Sequence, residues 1–242
     1  MKPLASDELT IKHLKIKRAS FDVEVENVQY SRGLHILLGA NGSGKSSILT
    51  GLTGYDSHSI KDRELYFKGQ KLDSTEEIIS YLPQHNPSFQ ISVHEFINLT
   101  TNRQHYKIDI DEYLKHYKLE QDKDRSVDTL SGGEFKRALA AQIEMEDKPV
   151  IMMDEIEQGL DVNYQHLILS RLKKLSNTKI VILAMHDLSL AMTYADTVTT
   201  IKKGTVVNAK VPNHDVTSEM LSNIFSREIS LVRQDERVAI FT

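Results

Sequence analysis

Cysteine is absent from the 242 residues, which excludes disulfides, zinc–thiolate sites and cysteine nucleophiles together. No stretch reaches the roughly 18 apolar residues that a membrane-crossing helix needs. The first residues, Met1 to Glu8, lack the apolar core of a secretory signal. A basic excess is missing as well. The formal net charge is -4, and without a basic footprint a nucleic-acid partner is not expected. Neither low-complexity segments nor a fixed-period repeat occur. What is present is 40% hydrophobic and 26% charged residues, the balance of a soluble globular chain. The length suits one large α/β domain, or one domain with an inserted subdomain.

The chain is organised around Gly39-Ala40-Asn41-Gly42-Ser43-Gly44-Lys45-Ser46. It follows the apolar run Leu34-His35-Ile36-Leu37-Leu38 and precedes Ser47-Ile48-Leu49-Thr50. This is the G-x-x-x-x-G-K-[ST] phosphate loop in its expected setting, a buried strand feeding a helix. The glycines let the backbone wrap closely around phosphate oxygens, and backbone N–H groups with the helix N-terminus form an anion nest. Lys45 is expected to reach the β- and γ-phosphates, and the Ser46 hydroxyl to coordinate Mg²⁺.

Leu9 to Lys17 alternates apolar and polar residues, with His13 slipping the register, and Phe21, Val23 and Val25 alternate again. These predict two antiparallel strands at a sheet edge. Short strands are predicted at Arg63 to Lys68 and at Ile78 to Leu82, the latter stopped by Pro83. From Gln84 to about Leu130 only helices are expected. One is capped by Ser92 with Glu95 three residues on, and a second runs from Asp109 to Tyr117. Ser131 opens a longer helix. Pro149 to Met153 is a strand buried on both faces. A helix from Val162 to Leu175, a strand from Lys179 to Ala184, a helix from Leu188 to Ala195 and a strand from Thr197 to Ile201 follow. The tail is read as a strand at Thr205 to Lys210, a helix at Thr217 to Phe225, and a hairpin of Ile229 to Val232 with Val238 to Phe241. Alternating strands and helices imply a parallel, doubly wound sheet with ligands at its carboxyl edge. The phosphate loop, Gln84, Asp154 and His186 all fall just past strand ends.

Asp154 and Glu155 are adjacent carboxylates after an apolar strand. One can hold Mg²⁺; the next points the other way along the strand and is free to act on a water attacking a γ-phosphate. Such phosphoryl transfer needs charge neutralisation and a positioned nucleophile.

Leu130-Ser131-Gly132-Gly133-Glu134 resembles the signature sequence of ABC-type ATPases. Val150 to Glu155 resembles their second nucleotide motif, Tyr81-Leu82-Pro83-Gln84 their glutamine loop, and Met185-His186-Asp187 their switch histidine. The resemblance covers nearly the whole chain. It implies a P-loop NTPase fold: a doubly wound, mostly parallel sheet with an N-terminal antiparallel part. Residues 1–84 and 148–242 would be the nucleotide-binding core, and about 85–147 an inserted helical subdomain. It also implies ATP and Mg²⁺ as ligands, Glu155 as general base and His186 on the γ-phosphate. Asp154 would be a metal ligand, and Gln84 would link Mg²⁺ to a membrane partner. Ser131 and Gly133, with Gly132 between them, would act in trans, so that two copies sandwich two ATP. Within the family the C-terminal half resembles ATPases of iron–siderophore, haem or vitamin B12 importers. These sit peripherally on the cytoplasmic face of the cell membrane with permease subunits and a solute-binding protein. The alternatives are a soluble ATPase of an assembly scaffold, such as iron–sulfur cluster assembly, or the ATPase of a metal-ion or export system.

Several positions depart from the family pattern. Ile156 stands where proline is usual, and Gln158-Gly159-Leu160-Asp161 lacks the usual serine while keeping Asp161. The helical insertion and the N-terminal hairpin both look short. No tyrosine sits where an aromatic would stack on adenine; Phe21 is a candidate, but a core strand phenylalanine is the expectation. His94, His105 and His116 are expected on the surface, because Asp109 and its polar neighbours break any single helix through them. Lys12, Lys15 and Lys17 with Arg18 are expected to form a solvated strand face, and Met145, Met152 and Met153 to fill core.

Overall fold

The computed structural model describes residues 7–18, 21–84, 89–99, 109–234 and 237–242. The chain opens with strands β1 (Glu8–Lys17), β2 (Asp22–Ser31) and β3 (Gly33–Leu38), then helix α1 (Lys45–Thr53). Strands β4 (Ile60–Phe67), β5 (Gln70–Lys71) and β6 (Ile79–Leu82) lead to helices α2 (Val93–Asn98), α3 (Ile110–His116) and α4 (Gly132–Met145). Strand β7 (Val150–Asp154), α5 (Val162–Leu175), β8 (Ile180–Ala184), α6 (Leu188–Tyr194) and β9 (Thr197–Lys202) alternate as expected. The end comprises β10 (Thr205–Pro212), α7 (Ser218–Phe225), and the hairpin β11 (Ser230–Gln234) with β12 (Arg237–Phe241).

One mixed sheet runs in the order β5-β4-β1-β2-β10-β9-β3-β8-β7-β6. The five strands β9, β3, β8, β7 and β6 are parallel; β1, β2, β4 and β5 pair antiparallel. The parallel strands are apolar without alternation because both their faces are covered. Leu34, Ile36 and Leu38 of β3 and Ile151 and Met153 of β7 pack with α4, α5 and α6 on one face. Leu37 and Met152 point the other way, onto Ile48, Leu49 and Leu52 of α1. Each such side chain contributes roughly 1.5–3 kcal/mol by leaving water. Met145, Met152 and Met153 are all in this core.

Three expectations about the N-terminal part are corrected. The hairpin is not short: β1 and β2 have 10 residues each. Its second half was hidden by consecutive exposed residues Glu26 and Asn27, where Asn27 takes φ 52 and shifts the alternation onto Val28 and Tyr30. The pair is not at the edge either, because β4 and β5 lie outside β1, and strand order is a long-range property. Phe21 lies in the loop before β2, half-buried, and not inside a strand core. The helical character of 84–130 holds among the described residues, which form no strand there beyond a single bridge between Ser92 and Ser126. His94 and His116 are partly exposed; His105 lies outside the described residues.

His35 is the polar member of β3. Its Nε2 lies 2.7 Å from the Ser31 carbonyl and its Nδ1 2.8 Å from the Thr197 hydroxyl. A carbonyl can only accept, so Nε2 carries the hydrogen and Nδ1 accepts from Thr197. Burial pushes the imidazole down to about 4 from 6.5. The unfolded chain therefore binds a proton that the folded chain refuses. Stability should be undiminished by this residue above pH 6.5 and should decline as pH falls from 6.5 toward 4, by roughly 2–4 kcal/mol in total. Ring ¹⁵N NMR should find His35 neutral until about pH 4, with urea midpoints falling over the same window; titration near 6.5 would refute its burial.

Candidate functional site

The loop Gly39 to Gly44 joins β3 to α1 where the parallel strands end. Gly39 has no room for a side chain: a Cβ there would lie 2.3 Å from the Ile201 carbonyl oxygen. Gly44 takes φ 110 at the start of α1, and no side chain caps that end. The first N–H groups of α1 therefore keep their donors for something else. Ser43 is buried and its Oγ has no partner. The Lys45 amine folds back onto the loop, donating to the Gly39 carbonyl at 2.8 Å and the Ala40 carbonyl at 3.4 Å. Lys45 is only 4% exposed. Burial lowers its pKa, while Glu155, Asp154 and Glu157 pull the other way. A buried ammonium resting on two carbonyls is poised to trade them for phosphate oxygens.

The carboxylates arrive from β7. Asp154 ends the strand, buried, and the Ser46 hydroxyl beside it favours the ionised carboxyl. Its Oδ1 is buried without a partner, and burial raises its pKa. A hydroxyl beside a carboxylate with an oxygen to spare is the hard-oxygen donor set that Mg²⁺ takes, so the residues present fit the ion. Glu155 follows with φ 53, a left-handed backbone that a non-glycine residue adopts at a cost of about 1–3 kcal/mol. Its N–H donates to the Ala184 carbonyl at 3.0 Å. Its carboxylate meets the Gln84 amide and the His186 Nε2. The His186 N–H in turn donates to Glu157 Oε1 at 2.9 Å.

These groups, from the ends of β3, β6, β7 and β8, line one cavity of about 610 Å³. Asn41 to Ser47, Gln84, Glu155 and His186 all border it, and Asp154 does not. Ser131, Gly132 and Gly133 do not. Ser131 caps α4 in a reciprocal box with Glu134, and Ser131 and Gly132 are exposed on an open face. Glu134 N–H to Ser131 Oγ is 3.3 Å, and Ser131 N–H to Glu134 Oε2 is 2.8 Å.

Two residues at the cavity mouth change their reading. Arg18 is not part of the solvated lysine face. Its Nε donates to Ser47 Oγ at 3.0 Å and its Nη1 to Asp56 at 2.7 Å, placing the guanidinium at the cavity wall. The signal was available: Lys15 and Lys17 share a strand face, and the next residue must point elsewhere. The other lysines do sit on the outer face, Lys12 bonded to Asn27 at 2.9 Å and Lys15 near Glu24 at 3.5 Å. Phe21 lines the same mouth and comes within 3.6 Å of where a Gly44 Cβ would stand. Ile156 is core, 2% exposed, and Asp161 caps α5 by accepting from the N–H groups of Asn163 and Tyr164.

Residues 25–158 match the family described as ABC transporter. The petrobactin import ATP-binding protein of Bacillus subtilis (strain 168) is 28% identical over 224 residues, spanning 84% of this chain and 86% of that protein. The hemin import ATP-binding protein of Hydrogenovibrio crunogenus (strain DSM 25203 / XCL-2) is 31% identical over 223 residues, spanning 83% of this chain and 86% of that protein. Among solved structures, a metal-chelate type ABC transporter in an inward-facing conformation superimposes with a TM-score of 0.78 at 20% identity. It covers 97% of this chain and 96% of that chain, a likeness of fold.

Proposed function

The chain belongs to the ABC transporter family, and we propose that it is the ATP-hydrolysing subunit that drives a membrane importer for iron–siderophore complexes, haem or vitamin B12. It binds and hydrolyses ATP. Among the described residues no helix is long and apolar enough to cross a membrane. The transport path then belongs to permease subunits, with this chain docked on their cytoplasmic side at the inner membrane. A solute-binding protein would deliver cargo to the permease from the far side.

The observation that carries this reading is the convergence of Lys45, Ser46 and the Gln84–Glu155–His186 group on one cavity at the carboxyl edge of the sheet, with the buried Asp154 carboxyl interacting with Ser46. The phosphate loop and the N-terminus of α1 cradle the triphosphate, and Lys45 neutralises its β- and γ-oxygens. Ser46 and Asp154 would hold Mg²⁺, with Gln84 at its side; when bound, the ion supplies further charge neutralisation on the phosphates. Glu155 takes the proton of the attacking water, and His186 donates to the γ-phosphate. Phe21 and Arg18 flank the nucleoside end, where a ring face and a guanidinium plane can each stack on a base.

The exposed Ser131 turn supports a second copy as partner. Exposed and outside the lining of its own cavity, it would meet a triphosphate on another subunit, whose Lys45 holds the far side. ATP would close the pair, hydrolysis at Glu155 would reopen it, and the cycle would move the permease between two access states.

Glu155→Gln should keep ATP binding and accumulate dimers in gel filtration while phosphate release collapses; turnover near wild type would remove Glu155 as the base. Lys45→Ala should abolish binding, and a calorimetric titration with unchanged affinity would refute its role. Phe21→Ala should weaken a fluorescent ATP analogue roughly tenfold, the size of one lost base stack, with little change in maximal turnover. An unaltered dissociation constant would return Phe21 to a packing role.

A further inference from the structure

Two charged side chains beside the cavity touch none of its expected ligands. Lys136 stands on the first turns of α4, five residues past Ser131. Its amine reaches across to donate to the Glu155 carbonyl at 2.9 Å and the Gln158 carbonyl at 2.6 Å. Glu157 is 3% exposed. Its Oε1 accepts from the His186 N–H at 2.9 Å, while its Oε2 is buried without a partner. So the amine grips the backbone of Glu155 and the carboxylate grips the backbone of His186, the two residues whose side chains meet each other.

The carboxylates also support the Lys136 charge. Burial pulls the Lys136 pKa down, and the Glu157 and Glu155 carboxylates oppose this. Burial pushes the Glu157 carboxyl up. The carbonyl of a residue held at φ 53 needs external anchors to stay there. Here it has the Gln158 N–H at 3.2 Å and the Lys136 amine, and a bond from an ammonium is the stronger kind.

We propose that Lys136 and Glu157 are a positioning pair that holds Glu155 and His186 in working geometry and ties both to the helix that begins at Ser131. This rests on Glu155 and His186 acting at the γ-phosphate. It adds a route by which engagement of the Ser131 turn in one site reaches the base of the other. The amine and that turn ride on one helix, and any shift of the helix start moves the Glu155 carbonyl.

The test measures phosphate release by the full chain against ATP concentration, with nucleotide affinity and melting temperature, for Lys136→Met, Lys136→Arg, Glu157→Gln and the Met/Gln double variant. Lys136→Met should lower maximal turnover at least tenfold, about 1.4 kcal/mol in the barrier, with ATP affinity within about twofold of wild type. Lys136→Arg should recover much of the loss, because it restores a cationic donor. The double variant should lose less than the product of the single losses, because both anchors hold the same Glu155–His186 contact and its second loosening costs less. Unchanged turnover in Lys136→Met, affinity and melting temperature falling in step with turnover, an arginine variant no better than methionine, or strictly multiplicative losses would each overturn the proposal. Glu155→Gln in the same assay separates the two failures. Retained turnover there removes the base assignment, whereas a dead Glu155→Gln beside a wild-type Lys136→Met removes only the positioning pair.

Discussion

Everything at this site follows from strands that have no wet face. β3, β7 and β8 are covered above and below, so a polar side chain within them must find a partner inside the protein, as His35 does with Ser31 and Thr197. Charged chemistry is then confined to the residues just beyond the strand ends. Because the strands are parallel, those ends share one edge. The same burial that excludes charge from the middle strengthens each electrostatic contact at the edge. Lys45, Asp154, Glu155 and Glu157 are all nearly inaccessible. Charges so placed are tolerable only with counterparts. The structure supplies some of them from loop carbonyls, the Ser46 hydroxyl and the His186 ring, and leaves Asp154 Oδ1 and Ser43 Oγ without any. A bound triphosphate is the natural counterpart to such a cluster of lysine, hydroxyl and backbone donors.

What could be read from the sequence was local. The phosphate loop, the cap at Ser131 and the strand-end positions of Gln84, Asp154 and His186 are written in runs of five to ten residues, where spacing and residue type suffice. The helix from Val162 to Leu175 is found at its predicted limits because Asp161 caps it and Thr178 and Lys179 lead directly into β8. Strand order was not legible, since β4 joins β1 from 43 or more residues away. Phe21 was misplaced because it sits in the loop before β2, where alternation no longer predicts direction, whereas Arg18, one residue past Lys17, could have been assigned away from the lysine face. Lys136 and Glu157 left no pattern at all: their partners are backbone atoms 19 to 29 positions distant, and backbone has no residue type to recognise.

The site also divides labour between two ends of the chain's surface. The cavity gathers the groups proposed to bind phosphate and move a proton, while the Ser131 turn is not part of its lining and has nothing within 4 Å of where a Gly132 side chain would stand. On the proposed reading such a molecule is incomplete alone, and association is part of its catalytic geometry as well as of its assembly.

The reciprocal cap at Ser131 and Glu134 bears on how quickly such an association can happen. A loose turn would have to freeze at the moment of contact, and the entropy lost would be subtracted from the grip between subunits. Here two hydrogen bonds already hold the turn, so less entropy would be lost when a second copy docks on it as proposed. The free energy of nucleotide capture is left available for displacing whatever the dimer leans on.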